Sequence, residues 1–600
     1  MTTRPTFRDL NHNGRLDPYE DPSQPVEQRV TDLLGRLSLE EKVGLMFHTV
    51  IEAGTDGHVL AGPGAIAKTG TREVVVGKRM NHFNVHALTD ARVAARWHNN
   101  VQQVALDTPH GIPVTISSDP RHSSALNFGT SWITPFFSQW PDPLGLAALR
   151  DPDLVRGFAD TVRREYAAVG IRAALHPTAD LATEPRWGRQ RETFGQDPDL
   201  VSQLVGAYVA GLQGATLGAA SVAATTKHFP GGGPQADGED AHFPYGRDQV
   251  YPGGRFDDHL APFRVALAEG TSAIMPYYGR PIGLVVGGEP IEEVGFGYNQ
   301  QLLTGLLRRQ LGFDGIILSD WELVNDNLVG DKVLPARAWG VEHLDPAGRL
   351  ELLLRAGIDQ FGGEECTDML VELVSSGVVL ETRIDESARR LLRQKFHLGL
   401  FDDPFVDEDA AAVLPDHADV ARGRAAQARS ACLLTNDGIL PLTGRRRVYV
   451  EGLDPQEAAR LGEVVERPED AEVAVIRLQA PWESRDDLFL EAMFHQGSLD
   501  FPPGLPVRLA RIAQHCPVVI DVNLDRAAVL TPLVGIAAAL TGSFGVGHAA
   551  YVDVLTGAVP PAGRLPVQLP RSMDAVRASR EDVPGDTPDP LFEFGHGLSY

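Results

Sequence analysis

Residues 299–321, NQQLLTGLLRRQLGFDGIILSDW, carry an amphipathic helical stretch into a short apolar strand that ends on Asp320 and Trp321. Strand-like runs of the same kind lie upstream: IPVTIS near 112, IRAALHP near 171, SVAATTKHF near 221 and TSAIMPYY near 271. Helical pieces such as LVSQLVGAYVAGLQG separate them, and Ser38 with Glu41 forms a capping box before LEEKVGLMF. A strand-then-helix alternation sustained from about residue 31 to 400 predicts a (β/α)8-type barrel, whose chemistry collects at the C-terminal ends of its strands.

Around 401–430 the composition changes to FDDPFVDEDAAAVLPDHADV and onward, acidic, with prolines and no apolar period, which predicts a linker. From 431 to 600 a second α/β unit is expected, with strands at RRVYVEG, AEVAVIRLQ and PVVIDVNL and helices near 455–463, 504–514 and 547–557. It is too short for another barrel and reads as an α/β sandwich, so the predicted fold class is α/β, a barrel followed by a sandwich. Residues 1–30 are left as an N-terminal arm.

The chain has 600 residues, 43% apolar and 22% charged, with a net charge of −26. That balance fits a soluble protein of two or three domains and argues against nucleic acid or an anionic membrane as partner. The cysteines at 366, 432 and 516 form neither a disulfide framework nor a metal pair. The N-terminus, MTTRPTFRDL, lacks the apolar core of a secretion signal, so a cytoplasmic location is expected. A homo-oligomer is compatible with these numbers.

The polar strand ends suit glycoside cleavage, which needs two carboxyl groups on opposite sides of the anomeric carbon. Asp320 can attack, and Trp321 can stack on a sugar face, although a strand-end Asp also commonly caps a helix. Lys227 and His228, in TKHFPGGG, can donate to ring hydroxyls and keep Asp320 ionised; alone they would read as a surface pair. In HPTADLATEPRWGRQRETFGQDPDL, Arg189 is a hydroxyl donor and Glu192 the partner that fixes it.

PRWGR with a following Glu and G-x-D-P, then KHF, then SDW, and the ending FEFGHGLSY together resemble glycoside hydrolase family 3, the β-glucosidase and β-xylosidase family, over nearly the whole chain. The resemblance implies a barrel and a sandwich with the active site between them, and no fibronectin type III domain up to Tyr600. It makes Asp320 the nucleophile. It gives Asp119, in TISSDPRHS, the grip on hydroxyls at the far side of the ring, and Arg189, Lys227 and His228 the hydroxyl-binding trio. Tyr278, with Tyr277 as its neighbour in SAIMPYYGRPIG, stands near the nucleophile, and Trp321 walls the subsite beyond the cleaved bond. The family draws its acid/base from the second domain. Here APWESR offers Glu483, with Trp482 as a dry face that would raise its pKa; Glu491 comes second and Glu322 third.

The implied activity is a retaining, exo-acting β-glycosidase that releases one sugar, glucose favoured, from a small or oligosaccharide β-glycoside. β-Xylosidase is the first alternative. The next is β-N-acetylglucosaminidase, whose single-domain members use an Asp/His pair after KHFPG; Asp240-Ala241-His242 echoes it at a spacing two residues longer. A non-catalytic sugar-binding protein would lack one carboxylate. Catalysis requires no cofactor, and HxH and HExxH are absent. One structural Ca²⁺ is expected at 9–20, where Asp9, Asn11, Asn13, Arg15, Asp17 and Glu20 fit an EF-type calcium loop turned by Gly14. The competing reading is an Asn/Gly-rich turn that binds nothing.

Overall fold

The computed structural model describes residues 7–123, 126, 127 and 129–600. Among them, β1 (Phe47–Ile51), β2 (His82–Val85), β3 (Thr115–Ser118), β4 (Ile171–Ala174), β5 (Ala223–Phe229), β6 (Ala273–Pro276), β7 (Ile316–Trp321) and β8 (Gln360–Gly362) close a barrel in sequence order. Every neighbouring pair runs parallel, β8 to β1 included, so all eight C-terminal ends open on one face. Parallel strands buried on both faces need continuous apolar runs, and Ile316, Ile317 and Leu318 of β7 supply one at 3% exposure or less. Each such side chain contributes about 1.5–3 kcal/mol by leaving water.

The register of β7 against β8 slips between Leu318 and Trp321, the stretch that holds Asp320, and such a slip re-aims side chains locally. β8 has to come close there: a Cβ on Gly362 would lie 2.6 Å from the Ser319 carbonyl. Five of the strands fall on the runs seen in the sequence. The others hide for physical reasons. β1 follows directly on the helix Leu39–Leu45, so its residues extend that helix's apolar pattern; the Ser38–Glu41 capping box is present. β2, HFNV, alternates polar residues into a buried strand, and β8 has only three residues.

The second unit is a six-stranded sheet: β9 (Cys432–Asn436), β10 (Arg446–Glu451), β11 (Gly462–Val465), β12 (Val473–Gln479), β13 (Val518–Asn523) and β14 (Ala539–Ser543), ordered β9-β14-β13-β12-β10-β11. Only β9 is antiparallel to its neighbour. Alternate residues of β12 feed two cores, Ala474 and Ile476 on one face, Val473 and Val475 on the other, which makes the sandwich. No helix among the described residues is long and apolar enough to cross a membrane.

Two expectations are corrected. Residues 401–430 are not a bare linker, because His417–Ser430 is a helix capped by the Asp416 carboxylate on the Ala418 N–H. Its buried face mixes small residues (Gly423, Ala426, Ala428) with the polar Asp419 and Gln427, and a Cβ on Gly423 would lie 2.3 Å from the Gln139 carbonyl, so the helix docks closely and shows no apolar period. The N-terminal arm is likewise shorter than 30 residues, since the helix Val26–Leu34 packs on Glu381–His397 and Arg29 pairs with Asp402 at 2.7 Å.

Candidate active site

A cavity of about 270 Å³ opens at the C-terminal face of the barrel. Its wall includes Asp119 after β3, Arg189 from the loop after β4, Lys227 and His228 on β5, Tyr278 after β6, and Asp320 and Trp321 on β7. Seven of the predicted side chains are therefore brought together by the parallel register of the barrel.

Their hydrogen bonds assign their protonation. His228 is neutral: burial, Arg189 and Lys227 lower its pKa well below the usual imidazole value. Arg189 Nη2 lies 3.1 Å from His228 Nε2 and can only donate, so Nε2 is the acceptor and the proton sits on Nδ1, 2.7 Å from Asp180. His228 Nε2 is thus spent on Arg189 and cannot donate to Asp320, 3.9 Å away. The expected role of His228 as an ionic support for Asp320 is corrected to that of a brace for Arg189.

Glu192 holds the same guanidinium at 2.7 Å; burial would raise its pKa, but Arg189 keeps it below the ordinary value. Arg189 Nη1 is left buried with no partner. An unmet buried donor costs about 1–3 kcal/mol, which a ligand hydroxyl would recover. Asp119 accepts from Lys227 Nζ at 3.2 Å and Asn84 Nδ2 at 3.0 Å.

Asp320 accepts from the Trp321 N–H at 2.8 Å and bonds the Tyr278 phenol, whose pKa burial and Asp320 push well above its usual value. The phenol also accepts from the Trp321 N–H at 3.0 Å. Tyr277 is outside the wall, behind the His228 ring.

Sequence reading missed Asn84 and His86, whose Oδ1 and Nδ1 are buried without partners in the cavity wall. Both belong to HFNVH at the end of β2, the strand that gave no apolar signal.

The acid/base and Trp482 are the main corrections. Glu483 is not in the cavity wall. Its side chain is 54% exposed and accepts from the Ser498 N–H at 3.1 Å. Trp482 leaves it uncovered, lying 43% exposed and stacked on His495 with centroids 4.0 Å apart. The cause is the fold of residues 481–499. The loop returns on itself through a Glu483–Gln496 bridge, and Arg526 bonds the carbonyls of Pro481, Gln496, Gly497 and Ser498, together with Arg186 of the barrel.

Glu491 is buried but engaged, accepting from Tyr245 Oη at 2.7 Å and from the N–H groups of Asp487 and Leu488. Glu322 does face the cavity. It pairs with Lys68 at 2.7 Å and accepts from Asn327, and burial with the nearby Glu364 raises its pKa to about 7. His242 also lines the wall, its Nδ1 2.6 Å from Asp240, so the Asp/His echo is brought to the site as well.

The loop 9–20 closes on itself. Asp9 accepts from the N–H groups of Asn13 and Gly14, Asp17 accepts from the side-chain amides of Asn11 and Asn13, and Glu20 accepts from the N–H groups of Leu10 and Asp17. Arg15 supplies its own N–H to Asn13 Oδ1. These oxygens therefore have internal partners, and among the described residues no group of three or more His, Cys, Asp or Glu is placed to hold a metal.

A closed parallel barrel whose face gathers an aspartate, a guanidinium with an unmet donor, a lysine and an indole suits a carbohydrate-cleaving enzyme. The chain belongs to glycosyl hydrolase family 3: residues 45–394 match the family's N-terminal domain and 458–600 its C-terminal domain. It is a glycoside hydrolase. It is 48% identical to a protein named beta-glucosidase C of Emericella nidulans, over 99% of this chain and 95% of that one. It is 41% identical to a periplasmic beta-glucosidase/beta-xylosidase of Dickeya chrysanthemi, over 99% and 93%. A β-glucosidase from Listeria innocua solved with isofagomine shares the fold, with TM-score 0.73 and 22% identity over 96% of this chain and 83% of that one. The cytoplasmic expectation rests on the N-terminal residues alone.

Proposed function

We propose that the protein is an exo-acting, retaining β-glycosidase that releases a single sugar, glucose preferred, from the non-reducing end of a β-glycoside. The names of its full-length relatives support the sugar class. The observation that carries the mechanism is Asp320 in the cavity wall beside the unmet Nη1 of Arg189 and the Asp119–Lys227 pair. The Asp320 carboxylate attacks C1 as the glycosidic C–O bond breaks, and the leaving oxygen takes a proton. Water then attacks C1 of the resulting ester, giving up its proton to the same acid/base and freeing the sugar and Asp320.

Position moves the proposed acid/base from Glu483 to Glu322. It opens on the cavity two residues beyond the nucleophile, and a carboxyl with pKa about 7 keeps its proton on roughly half the molecules at neutral pH.

The sugar is tested with nitrophenyl β-glucoside, β-xyloside and 2-acetamido-β-glucoside. Asp119, braced by Lys227 and Asn84, is suited to hold a primary hydroxyl, so the glucoside is expected to be cleaved fastest. A higher kcat/KM on the xyloside would shift the reading to β-xylosidase. A second reading draws on the Asp240–His242 pair in the wall. Cleavage of the acetamido sugar that persists in Glu322→Gln and is lost in His242→Gln would establish it.

A further inference from the structure

The cavity wall changes character with depth. Its polar members Asp119, Arg189, Lys227 and His228 are at most 5% exposed, whereas Leu328 is 69% exposed and Val329, Phe489 and Leu490 are partly exposed. Exposure marks the mouth; its polar members Lys68 and Asn327 are spent on Glu322, so the wall left free there is apolar and the floor polar. Two separate elements build that mouth. One is the hairpin Asn327–Val329/Lys332–Leu334, which projects from the end of β7; the other is the 481–499 loop of the sandwich domain. They are joined: the Phe489 N–H donates to the Val333 carbonyl at 3.3 Å, and Lys332 Nζ donates to the Asp486 carbonyl at 2.9 Å.

Leu490 is held into the wall by its backbone, with φ 72 in the left-handed region, a conformation that a leucine adopts only when its surroundings impose it. The surroundings are the Glu491 carboxylate, fixed on the N–H groups of Asp487 and Leu488.

We propose that this mouth is the leaving-group subsite and that it selects an apolar aglycone, an aryl or alkyl group, over a second sugar. The inference rests on the β-glycosidase reading, because the floor must hold the glycone for the mouth to meet the aglycone. A second sugar would set hydroxyls against Leu328, Val329, Phe489 and Leu490, none of which carries a side-chain hydrogen-bonding group. An alkyl or aryl group would cover the same side chains and leave water with them.

The experiment is a series of alkyl β-glucosides from methyl to octyl, with cellobiose as the sugar comparison. kcat/KM is expected to rise about two- to fourfold per added methylene over the first few carbons, chiefly through KM. Octyl glucoside is expected to exceed cellobiose. Leu328→Ser, at a side chain too exposed to matter for folding, should flatten that slope, and Phe489→Ser should flatten it from the other element. A flat series, cellobiose cleaved better than octyl glucoside, or a slope unchanged in both variants would overturn the proposal. The same alkyl series on β-xylose separates the two readings. If glucosides are inert but xylosides show the slope, the sugar assignment has failed and the aglycone subsite stands; inert glucosides with a flat xyloside series overturn the subsite.

Discussion

The two surfaces that enclose the cavity are held in different ways. On the barrel side, Lys227, Asp320 and Trp321 lie on parallel strands, and the strand registers set their places. On the sandwich side, residues 481–499 form a loop set by side chains: Arg526 on four of its carbonyls, Glu491 on two of its N–H groups, and Arg485 on Glu239 at 2.5 Å. A strand end points where its sheet directs it. A loop held by side-chain contacts points where those partners allow, so its acids are placed by Arg526 and Tyr245 as well as by their own neighbours.

The largest expected effect lies on the strand side. Asp320→Asn should lower kcat roughly 10⁴-fold or more with the fold intact by circular dichroism, since no other carboxylate occupies its strand position. A variant within tenfold of the parent would remove Asp320 as nucleophile.

The comparison is sharpest between Glu322→Gln and Glu483→Gln. Glu322→Gln is expected to lose about 10²–10⁴-fold on alkyl glucosides and much less on a dinitrophenyl glucoside, whose leaving group needs no proton. With a pKa of about 7, Glu322 loses its proton as pH rises, so the basic limb of kcat should fall near pH 7 and disappear in Glu322→Gln. Glu483→Gln is expected to stay within about threefold of the parent. The reverse pattern would restore the sandwich-domain glutamate and show that the 481–499 loop rearranges on binding.

A smaller change is expected when the loop's anchor is removed. Arg526→Leu strands several carbonyls at the domain boundary and should cost about 2–4 kcal/mol in urea unfolding, with KM for alkyl glucosides rising as Phe489 and Leu490 lose their position. Unchanged stability would mean that the boundary does not depend on Arg526.

The smallest effect belongs to loop 9–20. EDTA should leave the melting temperature unchanged, because the loop's carboxylates already accept internal N–H groups. A fall reversed by Ca²⁺ would show that the loop holds an ion.

The same contrast explains what the sequence disclosed. The runs ending at Lys227 and Asp320 were legible because a doubly buried strand must be apolar, and that requirement is local. Asn84 and His86 were not, since β2 mixes polar residues into four positions. The helix His417–Ser430 resembles a linker in sequence because small and polar residues, not large apolar ones, make its buried face. The family-like segment APWESR points to Glu483 with Trp482 over it, but Trp482 stacks on His495, an arrangement that depends on Arg526 and Asp525 and not on the segment itself.

The central claim is a covalent bond between sugar and Asp320, tested by incubating the enzyme with a 2-deoxy-2-fluoro-β-glucoside bearing a good leaving group and mapping the adduct by peptide mass spectrometry. The account predicts stoichiometric labelling on the peptide containing Gly315–Trp321, at Asp320, with activity recovering as the ester turns over. Labelling of another carboxylate, or inactivation with no covalent adduct, would contradict it.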